Sequence, residues 1–223
     1  MMEWFTFALQ KRFSPQAIMD RIQKLKTKLQ GPLPGFDAHR KLAPYKARLD
    51  YQIPPDVHIA AVLILLFYKG DRLYFPLITR QSFSDRDKHK GQIALPGGRK
   101  ELQDPDTRAT AIRECAEEIG IASDQVELIG ALSPLYIPVS RHHVYPYVGI
   151  YHSDPVFNLQ SEEIEAVHEV DLDDLLIGDH RQLQELELAD GRAMTVPTIQ
   201  IGPLKIWGAT GMILEEFTEL IAP

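Results

Sequence analysis

Apolar residues follow two different periods along this chain. Between Ser14 and Gln30 they recur every three or four positions, and Ser14-Pro15 suits a first helical turn, so the pattern predicts a helix. From His58 to Tyr68 the apolar residues are continuous, which is typical of a strand buried on both faces. The segment from Gly31 to Pro55 has no such period and is predicted to be irregular.

Shorter apolar runs separated by turn residues predict the remaining strands, and amphipathic runs predict the remaining helices. The predicted strands are Arg72–Thr79, Gln92–Leu95, Val126–Leu132, Val144–Tyr151, Gln182–Leu188 and Ala193–Ile201, the last two as a hairpin around Asp190-Gly191. The predicted helices are Thr107–Ile119, closed by Gly120, then Asp171–Leu176 and Trp207–Leu220. This order predicts an α+β fold with a mixed sheet. We expect residues 1–50 to be a helical and irregular N-terminal extension and residues 51–223 to be the main domain.

Composition narrows the class of protein. Hydrophobic residues make up 44% of the chain and charged residues 25%, the usual balance of a globular protein. Cys115 is the single cysteine, which excludes an internal disulfide and a Cys-based zinc site. The net charge of −7 gives no general attraction to nucleic acid or to anionic lipid. The apolar run Ile59–Tyr68 is far shorter than the ~18 residues of a membrane span, and Met1–Leu9 has no basic leader. We therefore expect a cytoplasmic protein without nucleic-acid or membrane partners.

Candidate chemistry is concentrated in the glycine turn Leu95–Gly98 and in the helix-forming segment Arg113–Ile121. On a helix, Glu114, Glu117 and Glu118 are related by i, i+3 and i+4, so their carboxylates share one face. Like charges placed there are unfavourable unless a cation neutralises them. Clustered carboxylate oxygens suit Mg²⁺ or Mn²⁺, so the pattern predicts a site for divalent cations.

Neighbouring positions favour this cation site over a solvated acidic helix that follows a glycine turn. Arg113 can pair with Glu117 one turn later and hold the acidic array in place. The two glycines let the backbone approach closely, and the Gly98 carbonyl can serve as a further ligand. The opposite side of the helix is expected to face the sheet, with Cys115 buried and inert. The residues expected on that side are Ala109, Ile112, Ala116 and Ile119.

The segment resembles the Nudix box, in which Gly, five residues, Glu and seven residues precede Arg-Glu-hydrophobic-any-Glu-Glu-any-Gly-hydrophobic. Arg113–Ile121 meets every fixed position of the second half. The first half departs, because 14 residues rather than 13 separate Gly98 from Arg113, and Asp104 stands where the first Glu would be. This one-residue extension resembles the coenzyme A pyrophosphatase branch of the family.

An upstream segment also resembles that branch, whose signature runs Thr-any-Arg-Ser, then Arg and His-any-Gly, then Phe-Pro-Gly-Gly. Here the matching residues are Thr79-Arg80-Gln81-Ser82, Arg86, His89-Lys90-Gly91-Gln92 and Leu95-Pro96-Gly97-Gly98. Gln81 replaces the expected Arg, one residue is inserted before His89, and Leu95 replaces Phe. The resemblance extends roughly from Asp56 to the C-terminus, and Ile206–Thr210 also looks like this branch.

The resemblance implies the Nudix α/β/α sandwich, a mixed sheet between helices with a loop-helix-loop metal site. It implies hydrolysis of the pyrophosphate bond in coenzyme A or its thioesters, giving 3′,5′-ADP and 4′-phosphopantetheine. The expected cofactor is Mg²⁺ or Mn²⁺, held by Gly98, Glu114, Glu117 and Glu118. The expected catalytic residues are Arg113, Glu114, Glu117 and Glu163. Glu163 aligns with a general base or additional ligand of related enzymes, and surface acidity is its alternative.

Basic residues surround the predicted site in an otherwise acidic chain: Arg80, Arg86, Lys88, Lys90, Arg99 and Lys100. Arg80, Arg86, His89 and Arg99 are predicted to bind substrate phosphates, including the 3′-phosphate of coenzyme A, because guanidinium groups match phosphate oxygens. Solvated loop charges are the alternative, and His89 can instead brace its loop. His142-His143 is interpreted as a surface or loop pair rather than as ligands.

Other functions remain compatible with the same residues. One alternative is a pyrophosphatase acting on ADP-ribose or dinucleoside polyphosphates, and another is a nucleoside triphosphate hydrolase. An alternative of a different class is a Nudix-fold module that binds a nucleotide without cleaving it, although the three intact glutamates argue against it. The expected partner is a small nucleoside diphosphate derivative, and a homodimer is left open.

Overall fold

The computed structural model describes residues 15–44, 52–81, 91–159, 164–176, 180–187 and 193–222. The helices are α1 (Pro15–Leu29), α2 (Gly35–Leu42), α3 (Thr107–Ile119), α4 (Leu172–Leu176) and α5 (Gly208–Ile221). The strands are β1 (His58–Lys69), β2 (Arg72–Arg80), β3 (Ile93–Ala94), β4 (Gly97–Arg99), β5 (Val126–Ala131), β6 (Leu135–Ile137), β7 (His142–Tyr151), β8 (Ile164–Asp171), β9 (Arg181–Glu187), β10 (Ala193–Ile201) and β11 (Leu204–Ile206).

The main sheet is built around β1, whose continuous apolar run is buried on both faces as predicted. β1 is antiparallel to β2 and β4 and parallel to β7, with the register running from His58↔His142 to Phe67↔Tyr151. β2 also pairs with β3 and β8, and β7 pairs with β5 and β6. A second, antiparallel sheet contains β9, β10 and β11. The predicted mixed sheet is confirmed.

Helices cover both faces of this sheet. Alternate β1 residues, including Leu63 and Leu65, share one apolar cluster with Cys115 and Ile119 of α3. The intervening β1 residues share a second cluster with apolar side chains of α1, α2 and α5. Each buried Leu, Ile or Phe side chain contributes roughly 1.5–3 kcal/mol relative to exposure. The predicted α/β/α sandwich is therefore the observed architecture.

The sheet-facing stripe of α3 differs from the prediction. Ala109, Ile112 and Ala116 are only half-buried, whereas Ile119 is buried as expected. The buried stripe is Ala111, Cys115 and Ile119, together with Thr110 and Glu118. The apolar residues Ala111, Cys115 and Ile119 face the sheet in place of the predicted set, because this orientation of α3 also brings Thr110 to Asp104 and Glu118 to Gly97. Burial raises the pKa of the Cys115 thiol well above its usual range, consistent with the predicted inert role.

The segment from Gly31 to Pro55 is not irregular throughout, because it contains α2. Ala38 and Leu42 are buried one turn apart. His39 Nε2 lies 2.8 Å from Glu216 Oε2 in α5, and both side chains are buried. An eight-residue helix with so few apolar positions has little periodicity to detect, so its packing partner decides its structure. α1 and α2 thus belong to the same core as the sheet, and the division at residue 50 stays a prediction.

Several short elements were missed, and others shifted. β6, β8 and β11 were not predicted, and the predicted strand Gln92–Leu95 is reduced to β3, followed by β4 where a loop was expected. The hairpin pairing of β9 with β10 is confirmed, whereas Asp190-Gly191 lies outside the described residues. In the part of the chain that the structure describes, no helix is long and apolar enough to cross a membrane.

Candidate active site

β4 binds β1 along one of its two edges. In an antiparallel pair, alternate residues direct both backbone groups to the partner strand, and the residues between them direct both away. Leu63 N donates to Pro96 O at 2.9 Å. Lys100 N donates to Ile59 O at the same distance of 2.9 Å. Gly98 lies two residues after Pro96 and two before Lys100, so its backbone N–H and C=O groups also face β1.

The other edge of β4 faces α3. Gly97 N donates to Glu118 Oε2 at 2.8 Å. Arg99 O accepts from Arg113 Nη2 at 3.1 Å. Both contacts are made by residues whose backbone groups point away from β1, as the register requires. The glycine strand is therefore held between the central strand of the sheet and the acidic helix.

At both glycines of β4, a larger residue would overlap neighbouring atoms. Gly97 has a φ of 148°, and a Cβ at this position would overlap the Ala61 carbonyl oxygen. A Cβ on Gly98 would lie 2.5 Å from Glu114 Oε2. The first contact is with rigid backbone and the second with a movable carboxylate. The sequence predicted a close backbone approach here, and the structure shows that β1 makes it at Gly97 and α3 makes it at Gly98.

Caps at both ends fix the length of α3. Asp106 accepts a hydrogen bond from Ala109 N at 2.9 Å, which satisfies one of the first amides of the helix. Gly120 adopts the left-handed conformation with a φ of 73°, and its amide donates to Ala116 O at 2.9 Å. The predicted Gly120 cap is confirmed. Fixed ends hold the glutamates of α3 in a defined rotation relative to β4.

The three glutamates of α3 occupy different environments. The Glu118 side chain is 7% exposed, that of Glu114 17%, and that of Glu117 59%. Burial raises the pKa of Glu114, and the neighbouring Arg113 only partly offsets this rise. The acidic array therefore runs from a buried carboxylate beside β4 to a solvent-facing one.

Arg113 connects the array to the preceding loop. Its Nη1 donates to Glu117 Oε2 at 2.8 Å, as predicted, and its Nη2 donates to Glu114 Oε1 at 3.0 Å. Its Nε and Nη2 also donate to the two oxygens of Asp104 at 2.8 and 2.9 Å. This single guanidinium group therefore sets the position of two of the three glutamates.

Asp104 is a buried acidic residue of the candidate site whose contacts the sequence did not reveal. It is 5% exposed and accepts additional hydrogen bonds from Thr110 Oγ1 at 3.0 Å and Glu101 N at 2.9 Å. The Arg113 guanidinium group, helped by these donors, holds the pKa of Asp104 well below its usual range. In the sequence, Asp104 aligns with the first Glu of the Nudix box, but this alignment does not indicate that Arg113 is its hydrogen-bond partner. Asp104 acts as a positioning residue for Arg113.

The donor types fit a hard divalent cation, because carboxylate oxygens and outward backbone oxygens lie together at one edge of the sheet. Within the described ranges, no three His, Cys, Asp or Glu side chains form a group that could hold a metal ion. Glu114 and Glu117 are paired with Arg113, and Glu118 with Gly97. For these residues to bind such a cation, the partly exposed glutamates would have to rotate away from these partners.

The two predicted substrate-binding residues that the structure describes, Arg80 and Arg99, lie in different places. Arg80 lies at the site, with its Nη1 3.9 Å from Glu118 Oε1. Arg99 follows Gly98, but its Nη2 donates to His58 Nδ1 at 2.9 Å. The Lys100 Nζ donates to the Asp104 carbonyl oxygen and closes the loop. Three other predicted site residues and two lysines of the basic cluster lie outside the described residues, and their roles stay predictions. They are Arg86, Lys88, His89, Lys90 and Glu163.

We expect Gly98→Ala to lower the rate of the pyrophosphate hydrolysis that the resemblance implies by about 10²-fold. The reason is that the added methyl group displaces the Glu114 carboxylate by about 1 Å. The variant should remain folded. The backbone of Gly98 does not need a positive φ, so alanine is tolerated conformationally. Steady-state kinetics and thermal unfolding measure the two effects. Gly31→Ala is the matched control, because its new Cβ makes only an ordinary contact at 3.5 Å. Unchanged activity in Gly98→Ala would show that the position of Glu114 is unimportant.

Comparison with known proteins shows to which family this chain belongs. A family model described as the NUDIX domain matches residues 57–190, more than half of the chain. The chain belongs to the NUDIX domain family. The resemblance inferred from the box is thereby confirmed, and the match includes both β4 and α3.

Relatives of this NUDIX chain include the mitochondrial coenzyme A diphosphatase NUDT8 of Homo sapiens, 32% identical over 66% of this chain and 63% of that protein. Nudix hydrolase 15, mitochondrial, of Arabidopsis thaliana is 36% identical over 57% of this chain and 45% of that protein. The chain thus matches about half to two thirds of the length of these relatives. The similarity to a coenzyme A diphosphatase supports the expected branch.

Solved structures similar to this NUDIX chain include a binary complex of the Ap4A hydrolase of C. elegans. It has a TM-score of 0.49 and 17% sequence identity, and the match covers 74% of this chain and 98% of that one. A MutT/nudix family protein from Enterococcus faecalis has a TM-score of 0.49 and 18% identity, over 98% of this chain and 76% of that one.

Proposed function

We propose that this chain hydrolyses the pyrophosphate bond of coenzyme A or its thioesters, giving 3′,5′-ADP and 4′-phosphopantetheine. The observation that carries the proposal is the attachment of the glycine strand β4 to the acidic face of α3, through the hydrogen bond from Gly97 N to Glu118. The similarity to the human coenzyme A diphosphatase and the upstream signature around Thr79–Gln92 support this substrate over other diphosphates.

The cofactor in this proposal is Mg²⁺ or Mn²⁺, bound by Glu114, Glu117 and Glu118. Gly98 was expected to add a backbone carbonyl, and the strand register favours the adjacent Gly97 carbonyl, because it is the one directed away from β1. When bound, divalent cations lower the pKa of a coordinated water and neutralise charge on the diphosphate.

The residues of the chain contribute positioning and electrostatics in this mechanism. Glu118 is held at a fixed distance from β4 by the Gly97 amide. Arg113 aligns Glu114 and Glu117, so the acidic array is partly organised before substrate binds. Arg80 is partly exposed beside Glu118 and can donate to a phosphate oxygen.

Glu163 is proposed as the general base that accepts a proton from the attacking water, because it aligns with such a residue of related enzymes. We further propose that the protein is cytoplasmic, acts without nucleic-acid or membrane partners, and can form a homodimer. Cell fractionation and light scattering of the purified chain measure the location and the oligomeric state.

A substrate panel tests the proposed reaction. We expect Mg²⁺ or Mn²⁺ to support hydrolysis of coenzyme A into 3′,5′-ADP and 4′-phosphopantetheine, detected by mass spectrometry. Chelation by EDTA should reduce turnover at least 10²-fold, and excess Mg²⁺ should restore it, because the cation supplies several kcal/mol of transition-state stabilisation.

The panel also contains ADP-ribose, NADH, nucleoside triphosphates and dinucleoside polyphosphates. Preferred hydrolysis of one of these would replace coenzyme A as the substrate while leaving the cation site in place. Tight binding of one compound without turnover of any would contradict the proposed hydrolase and favour a nucleotide-binding module.

A further inference from the structure

Arg99 directs its side chain to the face of the sheet opposite α3. Arg99 pairs with Ala60, which lies in the apolar cluster on the α1 and α5 side of the sheet. Gly98 pairs with Ala61, which lies in the cluster beneath α3. Successive residues of a strand face opposite sides. Arg99 is therefore adjacent in sequence to the candidate cation site but cannot share the face of Glu114.

Two histidines lie on the same face as Arg99. His58 and His142 are register partners at the starts of β1 and β7, and their ring centroids are 5.3 Å apart. Arg99 Nη2 lies 2.9 Å from His58 Nδ1. A guanidinium nitrogen can only donate, so His58 Nδ1 is the acceptor. A neutral His58 consequently carries its proton on Nε2, where it is a donor directed away from Arg99.

Two arginines contact His58, Arg99 through its side chain and Arg141 through its carbonyl oxygen. Arg141 forms an ion pair with Asp56, and the hydrogen bond from Arg141 is the largest cause of the lowered pKa of the Asp56 carboxyl. The nearby carboxylate therefore already has a cationic partner. Arg141 has a φ of 55°, a left-handed conformation that is uncommon for arginine, and its carbonyl accepts from His58 N at 2.8 Å. The turn thus fixes the position of His58 relative to His142.

We propose that Arg99, His58 and His142 form an anion subsite for a phosphate monoester of the substrate. In coenzyme A this group is the 3′-phosphate, so this identification rests on the proposed function. A phosphate monoester carries a charge of about −1.5 to −2 near neutral pH and accepts several charge-assisted hydrogen bonds. The diphosphate is expected beside Glu114 on the other face, so the monoester recognised here is a separate group. His142 was interpreted from the sequence as a surface residue, and the subsite gives it a binding role.

Equilibrium binding of adenosine 3′,5′-bisphosphate and adenosine 5′-monophosphate tests the subsite without requiring turnover. By isothermal titration calorimetry, we expect the intact protein to bind the bisphosphate at least about tenfold more tightly. Arg99→Gln and His58→Gln should each lower this preference about tenfold, and His142→Gln should lower it less. Arg99→Lys should retain an intermediate preference, since it keeps the charge but loses the planar donor pair.

Exposed residues elsewhere provide matched controls. Arg40→Gln and His152→Gln replace side chains that contact Asp37 and Glu127, and the preference should be unchanged in both. Circular dichroism verifies that each variant is folded. Equal binding of the two nucleotides by the intact protein, or an unchanged preference in both Arg99→Gln and His58→Gln, would overturn the subsite.

Kinetics separates a failure of the subsite from a failure of the proposed function. If coenzyme A is hydrolysed, the ratio of kcat/KM for coenzyme A to that for 3′-dephospho-coenzyme A should exceed about ten, and Arg99→Gln should move it toward one. A ratio that Arg99→Gln leaves unchanged contradicts the subsite. Absence of turnover on both compounds contradicts the proposed function, while the binding preference still decides the anion subsite.

Discussion

Replacing Glu118 with Gln is expected to lower kcat for pyrophosphate hydrolysis by about 10²–10³-fold while the protein remains folded. The amide oxygen of Gln can still accept from Gly97 N, which now binds Glu118 Oε2 at 2.8 Å, so the free energy of unfolding should change by only about 1 kcal/mol. The charge that would hold a divalent cation is nevertheless lost. Steady-state kinetics at saturating Mg²⁺ and urea unfolding measure the two quantities.

Glu127→Gln is the control for this experiment. Glu127 is an acidic residue with two side-chain partners, Lys26 and His152, but it lies on β5 and was assigned no role in the site. Its kcat should remain within about twofold of that of the intact protein. Near-native kcat in Glu118→Gln would remove Glu118 from the cation site, whereas a large loss in Glu127→Gln would show that charge removal acts nonspecifically.

Replacing Asp104 with Asn is expected to lower the free energy of unfolding by about 2–4 kcal/mol near neutral pH. Asp104 and Arg113 are both largely buried and share a two-pronged ion pair. The Asn amide would place N–H donors against the donors of Arg113 and leave its charge poorly compensated. Because Arg113 also holds Glu114 and Glu117, activity should fall as well, although by less than in Glu118→Gln.

The same substitution should remove part of the acid sensitivity of the fold. The pKa of Asp104 is lowered in the folded protein, so its stabilising contribution is fully present above the ordinary Asp value of 3.8. It is lost as pH falls below that value, because the unfolded chain binds the proton first. Urea unfolding between pH 3 and pH 7 should therefore show a smaller decline in Asp104→Asn than in the intact protein. Asp37→Asn, at an exposed ion pair with Arg40, is the control. It should leave the free energy of unfolding and its decline with falling pH nearly unchanged. Equal behaviour of the two variants would contradict a special contribution of the buried pair of Asp104 and Arg113.

The parts of the fold that the sequence predicted are those whose signals are local. The range of α3 was predicted to the residue, because its start, its repeat and the Gly120 cap all act within a few positions. The continuous run of β1 likewise revealed a strand buried on both faces. By contrast, α2 depends on its contact with α5, and β8 has polar residues on both faces, which conceals its alternation. Such elements are determined by their packing partners rather than by their own pattern.

The sequence indicated which residues form the candidate site, but it predicted only some of the contacts between them. The spacing of Glu114, Glu117 and Glu118 placed them together, and the pairing of Arg113 with Glu117 is confirmed. The two-pronged contact of Asp104 with Arg113 crosses the inserted loop, which spacing cannot describe. The direction of the Arg99 side chain depends on strand register, and register becomes known only when β4 is paired with β1.

The proposed hydrolase depends on a divalent cation bound between α3 and the edge of β4. A crystal structure of the protein grown with Mn²⁺, with anomalous scattering data collected to locate the metal, tests this cation site. We expect an anomalous peak at about 2.2 Å from carboxylate oxygens of Glu114 and Glu118, close to the Gly97 carbonyl. Glutamates that stay paired with Arg113 and Gly97, with no anomalous peak beside them at millimolar Mn²⁺, would contradict it.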